Sequence, residues 1–214
     1  MDALIKTRIG IMGGTFDPIH YGHLFIAECS RQKFDLNKVL FIPSGMPVHK
    51  KRPDIQPPEH RLEMTRLAIR DNPKFELSTI EIDRPGPTYT VDTLEVLHSI
   101  NNHTQEYFFI TGADAIMEIL TWKDVDKVLE LCHFIAVTRP GHSLDEINRV
   151  IQSFSETQRS RFHIYETVGI LVSSTEVRER VFLNEPIRYL VPDDVEKYIS
   201  ANRMYRQQVS QDWV

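Results

Sequence analysis

Cysteine is scarce in this chain: two residues in 214, Cys29 and Cys132, sit in apolar surroundings with neither a CxxC pair nor a Cys/His spacing. That excludes a disulfide framework, argues against a structural zinc site, and suits thiols kept reduced in a cytosol. Surplus positive charge is missing too. Lys and Arg total 25 against 30 Asp and Glu, a net charge of -5, which argues against a protein built to grip a nucleic acid backbone. No apolar run is long enough to cross a bilayer, and the opening MDALIKTR lacks the apolar core of a secretion signal. The expectation is a cytoplasmic protein acting on small molecules, with no membrane and no nucleic acid partner, and with homo-oligomerisation left open.

Internal repeats and linkers are also absent, so one domain is expected over residues 1–205, followed by a polar, frayed tail over 206–214. With 41% apolar residues the domain can bury a substantial core. Short runs rich in β-formers, Arg8 to Met12, Val39 to Ile42, Phe75 to Ile82, Tyr107 to Thr111, Phe134 to Thr138 and Phe162 to Thr167, read as strands. Between them, Leu24 to Phe34, Glu59 to Asp71, Tyr89 to Ile100, Val125 to Leu131 and Leu144 to Phe154 carry apolar residues at helical spacing. Alternating strand and helix predict an α/β fold: a doubly wound, Rossmann-like parallel sheet with helices on both faces. A basic, proline-rich loop from Ser44 to Pro58 interrupts the pattern, and a loop of that length in a compact domain is often functional.

The stretch GGTFDPIHYGH, Gly13 to His23, follows the first strand directly. It is not GxGxxG, and no lysine follows the glycines as a P-loop requires. Gly13 and Gly14 let a ligand approach the main chain closely, with Thr15 and Phe16 next in the turn. Asp17 and Pro18 fix that turn, and a helix is expected to begin near Tyr21. His20 and His23 then lie one helical turn apart at a helix N-terminus, where free N–H groups and the dipole favour an anion such as phosphate. A pair of histidines alone is as readily a metal-ligand pair or an incidental surface feature.

A second stretch, LVSSTEVR, places Ser173 three residues before Glu176, a capping-box spacing that marks another helix start. Ser174 follows, and Arg178 lies within the first turns, able to reach a polyphosphate at the helix mouth. Unaided, this is no more than a well-capped helix.

The two stretches together resemble the signatures GxFDPxHxGH and ISSTxxR of the nucleotidyltransferase superfamily, with Val172 in place of isoleucine in the second. GPTYTVDTL (Gly86 to Leu94), GADAIMEILTWKD (Gly112 to Asp124) and MPVHKK (Met46 to Lys51) are similar to segments of bacterial nicotinic acid mononucleotide adenylyltransferases, and the resemblance runs from about Arg8 to Tyr205. It implies transfer of AMP from ATP to nicotinic acid mononucleotide, with release of pyrophosphate, and Mg²⁺ carried by ATP rather than held by protein ligands.

By the same resemblance, His20, His23 and Arg178 would be catalytic, and Gly13, Gly14, Thr15, Phe16, Arg139, Ser173 and Ser174 would join them in holding ATP. Trp122 would stack on the nicotinate ring, while main-chain N–H groups around Thr88 and Tyr89 would receive its carboxylate; Gly112, Asp114 and Lys50 would complete the acceptor site. Each keeps a plainer reading: Trp122 as a packing residue, Asp114 as a helix cap, Lys50 as a solvated loop charge, and Arg139, before Pro140 and Gly141, as the start of an ordinary turn. Adenylyltransferases with other acceptors, pantetheine phosphate or the amidated mononucleotide, and a nucleotide-binding regulator without turnover stand as rivals.

Overall fold

The computed structural model describes residues 6–47, 54–139 and 144–206. In chain order it runs β1 (Thr7–Gly14), α1 (Tyr21–Lys33), β2 (Lys38–Pro43), β3 (Met46–Pro47), α2 (Pro58–Ile69), β4 (Phe75–Leu77), β5 (Pro87–Thr88), α3 (Thr90–Ile100) and β6 (Gln105–Gly112). There follow α4 (Ala113–Met117), a single 3₁₀ turn (Ile119–Thr121), α5 (Val125–Leu131), β7 (Cys132–Thr138), α6 (Asp145–Gln152), α7 (Glu156–Arg159), β8 (Phe162–Glu166), α8 (Ser174–Phe182) and α9 (Asp193–Ala201).

Six strands form one parallel sheet in the order β4-β2-β1-β6-β7-β8, and β3 pairs with β5 in a small separate ladder. The chain winds outward from β1 through β2 to β4, then returns to β6 and winds the other way. Order therefore reverses between β1 and β6, and the crevice beyond their carboxyl ends is where open α/β sheets bind ligands. Both strands end in glycine there, Gly13–Gly14 and Gly112.

Alternation of side chains splits the core into two apolar layers, one on each face of the sheet. Ile9, Ile11, Tyr107, Phe134 and Ala136 face the layer shared with α3 and α5, whereas Met12, Phe108, Ile110, Ile135 and Val137 face that shared with α1 and α9. Gly10 is small because a Cβ there would lie 3.0 Å from Leu36, Val39 and Ile110 at once. Cys29 and Cys132 are free, and burial pushes both thiols above their ordinary pKa. Among the described residues no helix is long and apolar enough to cross a membrane.

Four expectations need correction. The strand expected over Phe75 to Ile82 stops at Leu77, because β4 is an edge strand whose last partner is Phe41; Ser78 N–H makes a final bond to Phe41 O at 2.9 Å and the chain then leaves the sheet. The helix expected from Leu144 to Phe154 spans only Asp145–Gln152, and the one expected from Tyr89 begins at Thr90 with Tyr89 as its cap. Finally, the loop from Ser44 to Pro58 contains β3 at its start, while its basic stretch, Lys50 included, lies outside the described residues. So do Pro140 and Gly141, the tail from residue 207, and the side chain of Asp114.

Candidate active site

The site grows out of the carboxyl end of β1. A Cβ on Gly13 would come within 3.2 Å of the Phe109 ring, and one on Gly14 within 3.1 Å of the Phe16 ring, so the two positions are small because two aromatic rings close over them. Phe16 itself is buried at φ 50, a left-handed conformation costly for a bulky residue. Strain of that kind persists only where surrounding packing imposes it, and here the Phe16 ring is held edge-on to His23 (5.1 Å) and against Phe41.

His20 caps α1. Its extended backbone precedes the first helical turn, its side chain turns to the His23 backbone, and its own N–H donates to His23 Nδ1 at 3.3 Å. The two imidazoles stack with centroids 3.7 Å apart. An imidazole that accepts at Nδ1 carries its proton on Nε2, a donor of the kind a phosphate oxygen needs. Gly22 is required by the same geometry: a Cβ there would lie 2.9 Å from His20 Nδ1.

The second signature docks on the first. Ser173 Oγ accepts from Glu176 N–H at 3.1 Å and so caps α8, as its spacing predicts. The Glu176 carboxylate, however, turns to Arg180 (3.3 Å). Ser174 Oγ donates to Pro18 O (2.9 Å) and Arg178 Nη1 to Asp17 O (2.7 Å), so α8 is pinned to the turn after β1. Asp17 is buried at the centre of this junction, where its carboxylate accepts from Tyr205 Oη at 2.7 Å and from Gln56 N–H at 3.4 Å.

Two cavities flank the diglycine turn. The larger, about 590 Å³, is lined by His20, His23, Gly112, Thr138, Arg139 and Ser173, with Gly169 to Val172 along its lip. The smaller, about 170 Å³, is lined by Gly13, Gly14, Thr15, Ser44, Thr88, Thr90, Phe109 and a few apolar neighbours. It has room for one aromatic ring, since apolar protein cavities of about 150 Å³ hold benzene. Thr90 opens α3, whose first N–H groups sit at this cavity, a natural receptor for a carboxylate.

The candidate residues therefore divide. His20, His23, Arg139 and Ser173 share the large cavity, and Gly112, expected on the acceptor side, joins them there. Gly13, Gly14, Thr15 and Thr88 line the small one, with Tyr89 capping the adjoining helix. Trp122 stands behind the small cavity, edge-on to Phe109 (5.6 Å) and Phe134 (5.8 Å). Arg178 faces a third, neighbouring cleft with Thr175, Asp54 and Tyr205.

Some residues escape sequence reasoning altogether. Arg61 is 1% exposed and donates to three carbonyl oxygens, those of Gln56 (2.9 Å), Thr15 (2.8 Å) and Gly45 (3.1 Å), which ties together the loops after β1 and β2; burial lowers its pKa. Ser44 Oγ in the small cavity and Thr138 Oγ1 in the large one are buried with no partner among the described residues, and both suit a ligand's polar atom. Among the described residues no group of three His, Cys, Asp or Glu could hold a metal ion. The donors present, imidazole and main-chain N–H, suit phosphate oxygens.

A doubly wound sheet with two capped helix starts facing a crevice at its switch point defines a nucleotide-handling α/β protein, and comparison narrows it: the chain belongs to the cytidylyltransferase-like family, whose model matches residues 11–180. Within that family it is similar to the probable nicotinate-nucleotide adenylyltransferases of Moorella thermoacetica, 51% identical over 93% of this chain and 92% of the relative, and of a Thermoanaerobacter species, 46% identical over 94% and 96%. The Plasmodium falciparum nicotinic acid mononucleotide adenylyltransferase complexed with NaAD shares the fold at a TM-score of 0.76 and 19% identity, over 93% of this chain and 97% of that one.

Proposed function

We propose that the protein is a nicotinate-nucleotide adenylyltransferase, transferring AMP from ATP to nicotinic acid mononucleotide to form nicotinic acid adenine dinucleotide and pyrophosphate in NAD biosynthesis. The observation that carries this reading is the pair of cavities on either side of one phosphate-binding turn, in a chain about half identical to proteins of that name. ATP occupies the larger cavity, its base and ribose near Thr138, Arg139 and Gly112, and Asp114 is assigned to a ribose hydroxyl. The pyridine ring enters the smaller one, its carboxylate towards Thr88, Tyr89 and the start of α3, with Trp122 backing Phe109 against it.

The acceptor's 5′-phosphate oxygen attacks the α-phosphorus in line; the new O–P bond forms as the bond to the bridging oxygen of pyrophosphate breaks. No protein nucleophile takes part. His20 and His23 donate to oxygens on which charge builds, and the α8 N-terminus, oriented by Ser173, Ser174 and Arg178, adds its dipole. A Mg²⁺ ion bound with ATP would supply charge neutralisation at the phosphates. Lys50, in the basic loop, meets the acceptor phosphate.

The test is pyrophosphate release with ATP and, separately, nicotinic acid mononucleotide, nicotinamide mononucleotide and pantetheine phosphate. Turnover with the first is expected to exceed the others. Turnover only with pantetheine phosphate, or with none of the three, would overturn the reading.

A further inference from the structure

The hydroxyl of Ser44 lies on the wall of the small cavity, in a residue only 8% exposed, and has no partner among the described residues. Other hydroxyls on this wall are engaged: Thr88 Oγ1 donates to Met46 O at 3.0 Å and Thr93 Oγ1 to Glu81 Oε1 at 2.8 Å. The backbone at Ser44 is held firmly. Its N–H donates to Gly14 O at 2.9 Å, and the next carbonyl, that of Gly45, accepts from the buried Arg61 Nη2 at 3.1 Å. Gly45 also passes so close to the following segments that a Cβ there would lie 2.2 Å from Glu81 O and 3.3 Å from Thr88 Cγ2. β3 then runs parallel to β5, with Pro47 opposite Thr88. Ser44 is thereby placed beside the segment that leads through Tyr89 into α3, whose first N–H groups sit at the same cavity. A buried hydroxyl left unpaired is costly, and a polar ligand atom relieves that cost.

We infer that Ser44 is a binding residue for the substituent on the acceptor's ring: its hydroxyl and the N–H groups that open α3 converge on one group, the hydroxyl donating to a carboxylate oxygen. This inference rests on the small cavity being the acceptor site. The chemistry of serine sets the pattern of effects. A hydroxyl both donates and accepts, so it pairs with an amide as well as with a carboxylate, but its bond to the charged group is the stronger. Ser44 therefore adds affinity for both mononucleotides, and more for the acid. A ring without a substituent offers it nothing. Because the hydroxyl bonds no described residue, its removal leaves the fold intact while binding weakens.

The experiment compares the wild type with Ser44→Ala and Ser44→Thr. It measures kcat and KM for nicotinic acid mononucleotide, for nicotinamide mononucleotide and for a mononucleotide whose pyridine ring carries no substituent, together with KM for ATP and the melting temperature of the free protein. Ser44→Ala is expected to raise KM for the acid by roughly tenfold to a hundredfold, the worth of a hydrogen bond to a charged group, and KM for the amide by roughly twofold to tenfold. KM for ATP and for the unsubstituted ring should stay put, the melting temperature should hold or rise, and Ser44→Thr, which keeps the hydroxyl, should restore most of the loss. An unchanged KM for the acid in Ser44→Ala, or an equal rise for the unsubstituted ring, would overturn the inference. So would a lowered melting temperature with all three acceptors affected alike, the mark of a purely structural serine. If Ser44→Ala does not fold, Ser44→Cys, whose thiol is a weak donor, decides by the same comparison. Wild-type turnover of the acid with unchanged constants in the variants sinks this inference alone, whereas wild-type turnover of neither natural mononucleotide sinks the proposed function with it.

Discussion

At position 22 a single methyl group would push aside the His20 ring, since its Cβ would sit 2.9 Å from Nδ1. Gly22→Ala therefore separates activity from stability: alanine favours a helix over glycine by about 1 kcal/mol, so the melting temperature should hold while turnover falls with the displaced imidazole. His20→Ala and His23→Ala should each lower kcat by about 10²–10³, the usual worth of one preorganised donor to a developing charge. Near wild-type turnover in both would refute the role given to the pair. Arg178→Ala should raise KM for ATP more than for the acceptor, and Lys50→Ala the reverse; equal effects on the two substrates would mean that the two ends are misassigned. The placement of His20 and Ser173 at two helix starts was legible in the sequence because their types and spacing suit a cap. Arg61 and Thr138 were not: an arginine in an amphipathic helix and a threonine ending a strand carry no periodic mark, and only the fold shows that one bonds three carbonyls and that the other has no partner among the described residues.

Among the elements, α8 shows how a cap becomes part of a site. Ser173 holds the first turn and Ser174 anchors it to Pro18, so the helix start is fixed against the turn after β1 from both sides of its cap. Ser173→Ala should cost about 1 kcal/mol, a fall of about 2–4 °C in Tm for a chain of this size, together with a raised KM for ATP; thermal melts and initial rates measure both. The strand and helix alternation was readable because central strands such as β1, β2 and β7 carry runs of buried residues and helices such as α3 carry buried residues at helical spacing. Where it misled, at β4, the apolar run continued past the last sheet partner, and Ile80 packs on the core from a turn. Local pattern reports burial, and burial alone does not separate an edge strand from the loop that follows it.

Across the whole molecule, the two ends of the parallel strands have opposite character. The carboxyl ends hold the cavities; nearer the amino ends, four adjacent strands bring together Arg8, Glu106, His133 and His163. His133 Nδ1 lies 3.0 Å from His163 Nε2, and His133 Nε2 lies 2.8 Å from Arg161 Nη1 and 3.3 Å from Glu106. Burial, and then Arg161, push the His133 pKa down to about 4, and burial lowers that of His163. The folded chain thus binds fewer protons here than the unfolded one. Stability should be level above the ordinary histidine range and fall as pH drops from about 6.5 towards about 4, by on the order of 1 kcal/mol per pH unit. Urea unfolding at pH 7.5 and pH 5 tests this, and His133→Phe should flatten the slope; an unchanged slope would assign the loss to other groups.

The bond between Tyr205 and Asp17 joins residues 188 positions apart. A chain emerging from a ribosome exposes the glycine turn and both imidazoles with the sheet still incomplete, yet the clamp on Asp17 closes only once the 188th residue after it has followed. The contact that secures the turn is in this sense deferred, and a nascent chain halted before Tyr205 carries the whole first signature without it.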